Sequence, residues 1–357
     1  MLSKPEEDIL LKIRGLKTYF FTEEGVVKAI ESIDLDVYKS EILGLVGESG
    51  SGKSVTALSI LGIVPDPPGK ILEGQVIFHG QDLRKLSEAE MRKIRGNQIA
   101  IIFQDPMTSL NPVFTVGDQI GEAIMLHQKV SKKEAREKAI KIMSLVGIPA
   151  ADERVDNYPF EFSGGMRQRV MIAMALSCNP ELLIADEPTT SLDVTIQAQI
   201  LELLKATSEE FDMSIILITH DMGVIAEMCD RVAVMYAGYI VEVGDIMTIF
   251  KRPFHPYTRG LLGSIPRPDA DRNSLKVIRG SIPNLINPPS GCRFHPRCDY
   301  RLQGLCEKKV PDIIEIEPGH KVMCHLYTEE GKAYLAQKNL DTETYQQQVI
   351  SAQEGSI

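Results

Sequence analysis

This sequence has no stretch near the ~18 consecutive apolar residues that a bilayer-spanning helix needs. It also lacks the basic excess that broad nucleic-acid binding needs. Lys and Arg number 39 against 49 acidic residues, a net charge of −10 at pH 7, which leaves room for a small basic patch only. The opening residues, MLSKPEEDILLKIRG, are acidic and carry no apolar block of the signal-peptide kind. The expectation is a cytosolic protein that serves a membrane, if at all, through partners. No heptad run is present, so a long coiled coil is excluded. No C-x2-C knuckle is present either, which counts against a simple zinc ribbon.

The rest of the composition is that of a soluble globular chain, with 357 residues, 43% hydrophobic and 25% charged. Two or three domains with a full core are possible. Of the six cysteines, Cys178 and Cys229 stand alone among apolar neighbours and read as small buried hydrophobes. Cys292, Cys298, Cys306 and Cys324 cluster with the spacing C-x5-C-x7-C-x17-C. In a reducing cytosol such density points to metal or cluster ligation rather than disulfides. Zinc and an iron–sulfur cluster both remain open to four thiolates. The nearby His295, His320 and His325 would be surplus ligands and read as structural.

Residues Gly47–Ser54 read GESGSGKS, a complete G-x-x-x-x-G-K-[ST] phosphate-binding loop. It lies between Ile42–Val46, an apolar run fit for a buried strand, and Val55–Leu61, apolar enough for a packed helix. Gly47, Gly50 and Gly52 let backbone N–H groups converge on phosphate oxygens. A helix starting near Lys53 adds its positive end. The Lys53 ammonium would reach the β- and γ-phosphates, and the Ser54 hydroxyl would ligate Mg²⁺.

The first 40 residues read as β-rich, with short runs at 10–14, 17–21, 26–30 and 33–37. A Pro/Gly turn over 64–70 leads to a strand over 74–79. Ser87 and Ser131 each stand three residues before a Glu and open helices as capping boxes. The second helix places Ala135, Ala139, Ile142, Met143 and Val146 on one face. Residues 107–177 are therefore expected to be mostly helical, inserted between a strand at 99–103 and further strands at 182–185, 215–219 and 231–236. A helix over about 201–211 separates the first two of these. Alternating strands and helices imply a largely parallel sheet. Ligands of such sheets bind beyond the carboxyl ends of the strands. Gly47, Gln104, Asp186 with Glu187, and His220 each follow a different strand, so four strand ends point at one rim.

At that rim Asp186, after LLIA, can hold Mg²⁺ mostly through water. Glu187 can orient or deprotonate attacking water. His220 could touch the γ-phosphate, and Gln104 could contact Mg²⁺ or water and sense an adjacent subunit. Ser163, in FSGGMRQR, is a natural N-cap, and Gly164 and Gly165 let a phosphate approach the first turn of the helix that follows. Met171, Met174 and Leu176 on that helix read as core packing.

Taken together these residues resemble the ATP-binding-cassette (ABC) ATPases. Gly47–Ser54 matches the Walker A loop, Gln104 the Q-loop glutamine, Ser163–Met166 the signature motif and Leu182–Asp186 Walker B. Ser191-Leu192-Asp193 matches the D-loop and His220 the switch histidine. The resemblance covers about residues 8–250 in the usual order. It implies a P-loop NTPase of α/β class. The sheet core would be mostly parallel, with an N-terminal antiparallel β subdomain and an inserted helical subdomain. ATP and Mg²⁺ would be bound by Phe20 on the adenine and by Gly47, Glu48, Ser49, Gly50, Ser51, Gly52, Lys53, Ser54 and Val55. Ser54 and Gln104 would hold the magnesium beside Asp186, and Glu187 would be the catalytic base. The resemblance also implies ATP sandwiched between two subunits, with Ser163, Gly164 and Gly165 acting on the partner's ATP and Asp193 among the cofactor-binding residues. The usual signature has Gln where Met166 stands, which removes one side-chain hydrogen bond and leaves the Ser-Gly-Gly contacts possible.

Three further segments narrow the resemblance: QDPMTSLNP at 104–112, PFHPYT at 253–258, and PSGCRFHPRC at 289–298 with the later Cys306 and HKVMCH at 320–325. They are similar to the ATP-binding subunits of dipeptide/oligopeptide importers and their nickel-chelate relatives, now over about residues 8–327. The implied partners are a second ATPase subunit in a heterodimer, two membrane permeases and, indirectly, an extracytoplasmic peptide-binding protein, with no nucleic acid. The implied place is the cytoplasmic face of the membrane. The resemblance favours a [4Fe–4S] cluster on Cys292, Cys298, Cys306 and Cys324, with zinc as the alternative. The expected division is a nucleotide-binding domain over 1–250, a small irregular Cys-rich domain over 251–327 and a polar tail over 328–357. The alternatives are import of nickel chelates or another small solute, a soluble ABC ATPase acting on DNA or ribosomes, and a redox-sensing cysteine module that controls the ATPase.

Overall fold

Runs with no polar face become the centre of the sheet. In the computed structural model, which describes residues 6–105, 109–190, 192–265 and 278–354, the strands are β1 (Ile9–Thr22), β2 (Gly25–Tyr38), β3 (Ile42–Val46), β4 (Gly69–Phe78), β5 (Gln81–Asp82), β6 (Ile99–Ile102), β7 (Leu182–Asp186), β8 (Ser214–Thr219), β9 (Arg231–Tyr236), β10 (Tyr239–Asp245), β11 (Ile314–Glu317) and β12 (His320–Val322). The α-helices are α1 (Lys53–Leu61), α2 (Glu88–Ile94), α3 (Val116–Gln128), α4 (Lys132–Leu145), α5 (Ala151–Arg154), α6 (Gly164–Leu176), α7 (Val194–Glu210), α8 (Met222–Met228), α9 (Ile246–Lys251), α10 (Pro256–Gly263), α11 (Glu329–Ala336) and α12 (Thr342–Glu354). Strands β3, β7 and β8 are buried at every residue, so covering on both faces removes any reason for polar alternation.

The sheet order is β5-β4-β1-β2-β10-β9-β3-β8-β7-β6. From β9 through β3, β8 and β7 to β6 every pairing is parallel. β1, β2 and β4 pair antiparallel. This mixed sheet is the fold of a P-loop cassette. Its parallel half brings the carboxyl ends of β3, β6, β7 and β8 to one rim. One apolar core lies between that half and α3, α4 and α6; another joins β1, β2 and β4 to α1.

The four short runs expected in the first 40 residues are two long strands. Register shifts between Ile13 and Leu16, around Gly15 at φ 55°, let β1 bulge through where a turn was expected. Both capping boxes form, at Ser87–Glu90 and Ser131–Glu134. Helix α7 starts at Val194, seven residues before the expected start, because the Asp193 carboxylate caps it by accepting from the Ile196 N–H. Cys229 is buried as expected, but Cys178 is only half-buried, its thiol turned toward the Ala123 carbonyl.

Buried Glu242 on β10 ties residues beyond 251 to the sheet. Its carboxylate accepts the N–H groups of Phe254 and His255 and pairs with His320 Nε2 at 2.8 Å. β12 then adds antiparallel to β10, with Glu242 opposite Val322. The described part of 328–357 also carries apolar anchors, contrary to expectation. Leu335 is buried, and Tyr334, Leu340 and Tyr345 pack on the same cluster as Leu302, Val322 and Leu326. These anchors are too sparse to make a periodic stripe, which is why the segment reads as a polar tail.

Candidate active site

The loop after β3 is shaped by close backbone contact. A Cβ on Gly47 would overlap the Met235 carbonyl oxygen, so only glycine fits. Gly52 sits at φ 111° as the residue that turns the chain into α1, where Lys53 begins the helix. Lys53 is 5% exposed, and its Nζ donates to the loop's own carbonyls, Gly47 at 2.7 Å and Glu48 at 3.1 Å. Burial pushes the Lys53 pKa down, opposed by the charges of Glu187, Asp186 and Glu48. The ammonium is thus held inside the loop beside three carboxylates and directed at its centre.

Asp186 closes β7. Burial pushes its carboxyl pKa up, a hydrogen bond from Ser54 opposes this, and Glu187 adds to it. Its Oδ1 is buried with no hydrogen-bond partner. A buried carboxylate oxygen left unpaired is unfavourable unless a cation arrives. Asp186 and Ser54 side by side, one a charged oxygen and the other a hydroxyl, therefore fit a hard divalent cation.

Glu187 is the hub of the rim. Its backbone adopts φ 47°, a left-handed conformation costly for a non-glycine residue. Its N–H nevertheless continues the ladder to the Ile218 carbonyl on β8. The side chain gathers three partners: Gln104 Nε2 donates to Oε2 at 3.0 Å, Thr190 Oγ1 to Oε2 at 3.0 Å, and His220 Nδ1 lies 3.4 Å from Oε1. Lys53, Ser54, Gln104, Asp186, Glu187 and His220 are thus brought together as the strand-end argument expects. Thr190 was missed. A threonine in EPTT carries no motif signal of its own, and only the turn after β7 brings it to the carboxylate.

The remaining expected site residues stand elsewhere. Ser163 caps α6 by accepting from the Met166 N–H, and Ser163 and Gly164 are exposed. A Cβ on Gly164 would meet nothing within 4 Å. Asp193 is exposed at the start of α7. Ser191, and residues 106–108 of the Q-loop continuation, lie outside the described residues. On β1, Phe20 is half-buried with its ring edge toward Gly69, Tyr19 Oη donates to Glu31, and Phe21 is the most exposed ring of the three at 50%.

The loop also has partners far along the chain. The Glu48 N–H donates to Tyr257 Oη at 2.9 Å, and the Glu48 carboxylate takes a two-bond fork from Arg297. Tyr257 is set by His255, whose Nδ1 accepts the Tyr257 N–H at 3.0 Å and caps α10. Burial pushes the His255 pKa from 6.5 down to about 4, only partly offset by Glu242. Between those values the unfolded chain binds a proton that the folded one refuses, so stability falls as pH drops through the window. Going from pH 7 to pH 5 should remove roughly 2 kcal/mol through this residue. The variant His255→Asn keeps a capping acceptor without titrating. Urea unfolding of both proteins at the two pH values should show the smaller acid loss in the variant; equal losses would refute this role.

The four clustered cysteines are mutual neighbours. Burial raises the Cys298 thiol well above its ordinary value, and Cys324, Cys292 and Cys306 raise it further. Burial likewise pushes Cys292 up to about 12. Thiols so placed become thiolates only with strong positive charge at hand. Yet no set of three His, Cys, Asp or Glu among the described residues is arranged to hold one metal ion. A single tetrahedral zinc would need its four sulfurs drawn to roughly 2.3 Å from one point. The donor set suits a metal group; the spacing does not suit a single ion. The three histidines are engaged structurally, as expected: His295 with the Cys292 carbonyl, His320 with Glu242 and His325 with the Lys309 carbonyl.

Residues 30–190 match the family model for ABC transporters, and residues 241–306 match that for the C-terminal region of oligopeptide/dipeptide transporters. The chain is 54% identical to the probable peptide ABC transporter ATP-binding protein y4tR of Sinorhizobium fredii, over 91% of this chain and 97% of that one. It is 51% identical to the oligopeptide transport ATP-binding protein AppD of Bacillus subtilis, over 90% and 98%. It is 47% identical to OppD of Escherichia coli, over 92% and 96%. Among solved structures, the dimeric post-hydrolysis cassette MJ0796 bound to ADP and Pi superposes with a TM-score of 0.60 at 26% identity, covering 66% of this chain and 98% of that one. With a phosphate loop, a carboxylate hub and relatives matched along nearly their whole length, the chain belongs to the ATP-binding subunits of oligopeptide/dipeptide ABC transporters.

Proposed function

We propose that this protein hydrolyses ATP to power import of di- and oligopeptides through a membrane ABC transporter. The observation that carries the reading is Glu187: a strand-end carboxylate beside the Lys53 loop, held by Gln104, Thr190 and His220. The N–H groups of Gly47–Val55 and the Lys53 ammonium receive the polyphosphate, displacing Lys53 from the Gly47 and Glu48 carbonyls. Phe20 stacks on the adenine. Ser54, Gln104 and Asp186 would hold Mg²⁺, which would supply positive charge beside the phosphate oxygens. Glu187 takes a proton from water as the water oxygen attacks the γ-phosphorus and the ADP oxygen leaves. His220 orients the water and the γ-phosphate. Ser163, Gly164, Gly165 and Asp193 complete the ATP site of a second ATPase subunit, consistent with the exposure of Ser163 and Gly164. Closure of the pair drives the two permeases, which receive peptide from an extracytoplasmic binding protein, at the cytoplasmic face of the membrane.

In this reading residues 1–250 form the nucleotide-binding domain, with the helical insertion at about 107–177, and 251–327 form the Cys-rich domain, followed by 328–357. The four thiols of that domain would hold a [4Fe–4S] cluster, the group that the family resemblance favours over zinc. One preparation tests both parts. Purified anaerobically from membranes, the chain should come with two permeases and a second ATPase, and contain about four iron and four sulfide per chain. Recovery with ribosomes or DNA instead would replace the transport reading. One zinc per chain, or no metal, would replace the cluster.

A further inference from the structure

The segment Cys292–Cys298 reads C-R-F-H-P-R-C, and both of its arginines reach into the cassette. Arg297, whose side chain is 5% exposed, places Nη1 2.7 Å from Glu48 Oε2 and Nη2 3.0 Å from Glu48 Oε1. Its remaining donors go to the carbonyls of Arg279 and Gly280 and to Tyr236 Oη. Such a fork fixes orientation as well as distance. Glu48 is the second residue of the phosphate loop, and all its polar groups are engaged. The carboxylate goes to Arg297, the N–H to Tyr257 Oη, and the carbonyl to Lys53 Nζ. Between the arginines, the Phe294 ring packs 5.4 Å from that of Tyr257 and holds it in place. Arg293 takes a second route. It donates to the Ala237 carbonyl at 2.6 Å, and the next residue, Gly238, donates its N–H to the Ser51 carbonyl at 2.8 Å.

We propose that Arg297 and Tyr257 are positioning residues for ATP binding: they hold Glu48 so that the loop amides and Lys53 are set for the polyphosphate before it arrives. The Cys-rich segment is then part of the nucleotide site. A loop held in its binding form has less freedom to lose on binding, and freeing one residue's backbone weakens affinity about tenfold. A mere staple between segments would affect stability and leave affinity alone.

The test is equilibrium binding of a fluorescent ATP analogue, with turnover measured on the same full-length preparations. It rests on the phosphate-loop reading, so Lys53→Ala is run alongside. Arg297→Ala should weaken binding about tenfold, with turnover at saturating ATP changed by less than about twofold. Glu48→Gln, which keeps shape and loses charge, should weaken binding, and adding Arg297→Ala to it should do little more. Tyr257→Phe should weaken binding a few-fold. Unchanged affinity in Arg297→Ala, or losses that multiply in the double variant, would overturn the proposal; so would a lower melting temperature at unchanged affinity. If Arg297→Ala does not fold, Arg297→Lys and Tyr257→Phe decide, and normal affinity in both overturns it. If Lys53→Ala binds normally, the phosphate-loop reading itself fails. If Lys53→Ala loses binding while the Arg297 and Tyr257 variants do not, only this inference fails.

Discussion

Glu187→Gln is expected to lower ATP turnover by about 10²–10⁴-fold, the range set by loss of a positioned general base, while ATP still binds. The amide has nearly the shape of the carboxylate and still offers an oxygen to Gln104 and Thr190, so the rim should keep its geometry. What it cannot do is take a proton from water. The left-handed backbone at Glu187 holds either side chain at the same place. With hydrolysis blocked, the ATP-bound pair of ATPase subunits should persist, so size-exclusion chromatography with ATP should show a stable dimer in the variant and a transient one in the wild type. Undiminished turnover would remove Glu187 from the role of base.

Lys53→Ala should weaken nucleotide binding about a hundredfold or more. Hydrogen bonds to a charged partner contribute roughly 1.5–3 kcal/mol each, and a single ammonium reaching two phosphates makes more than one. The lysine also organises the loop by bridging the Gly47 and Glu48 carbonyls. Alanine removes both the charge and that bridge. Its effect therefore falls on affinity, in contrast to the turnover effect at Glu187. Calorimetric titration with ATP separates the two, and an unchanged dissociation constant would count against the loop as a phosphate site.

The parallel core and the rim are legible in the sequence because each depends on local order. An apolar run such as Ile42–Val46 becomes a buried strand, and whatever polar residue follows it lands at the strand end. Gly47, Gln104, Asp186 with Glu187, and His220 follow that rule, and the loop motif adds Lys53. The residues that escape sequence reading act over long separations. Arg297 meets Glu48, and Glu242 meets His320, through pairings that no period or motif encodes. The fusion of the first two runs into β1 turned on whether Gly15 bulges or turns, and both readings satisfy the same residues. Leu335 and Tyr345 look like isolated apolar residues until β12 supplies the surface they cover.

The pairing of β12 with β10 has a consequence for biosynthesis. Val243 leaves the ribosome well before Lys321 and Val322, and at roughly 5–20 residues per second the interval is on the order of seconds. Through that interval the nascent chain displays an unsatisfied β10 edge, a surface prone to joining a neighbouring polypeptide. Glu242 waits too: the N–H groups of Phe254 and His255 reach it first, and His320 completes its partners last. Maturation of this subunit thus waits for residues 320–322, and a chaperone that shelters β10 until then would raise the yield of active protein.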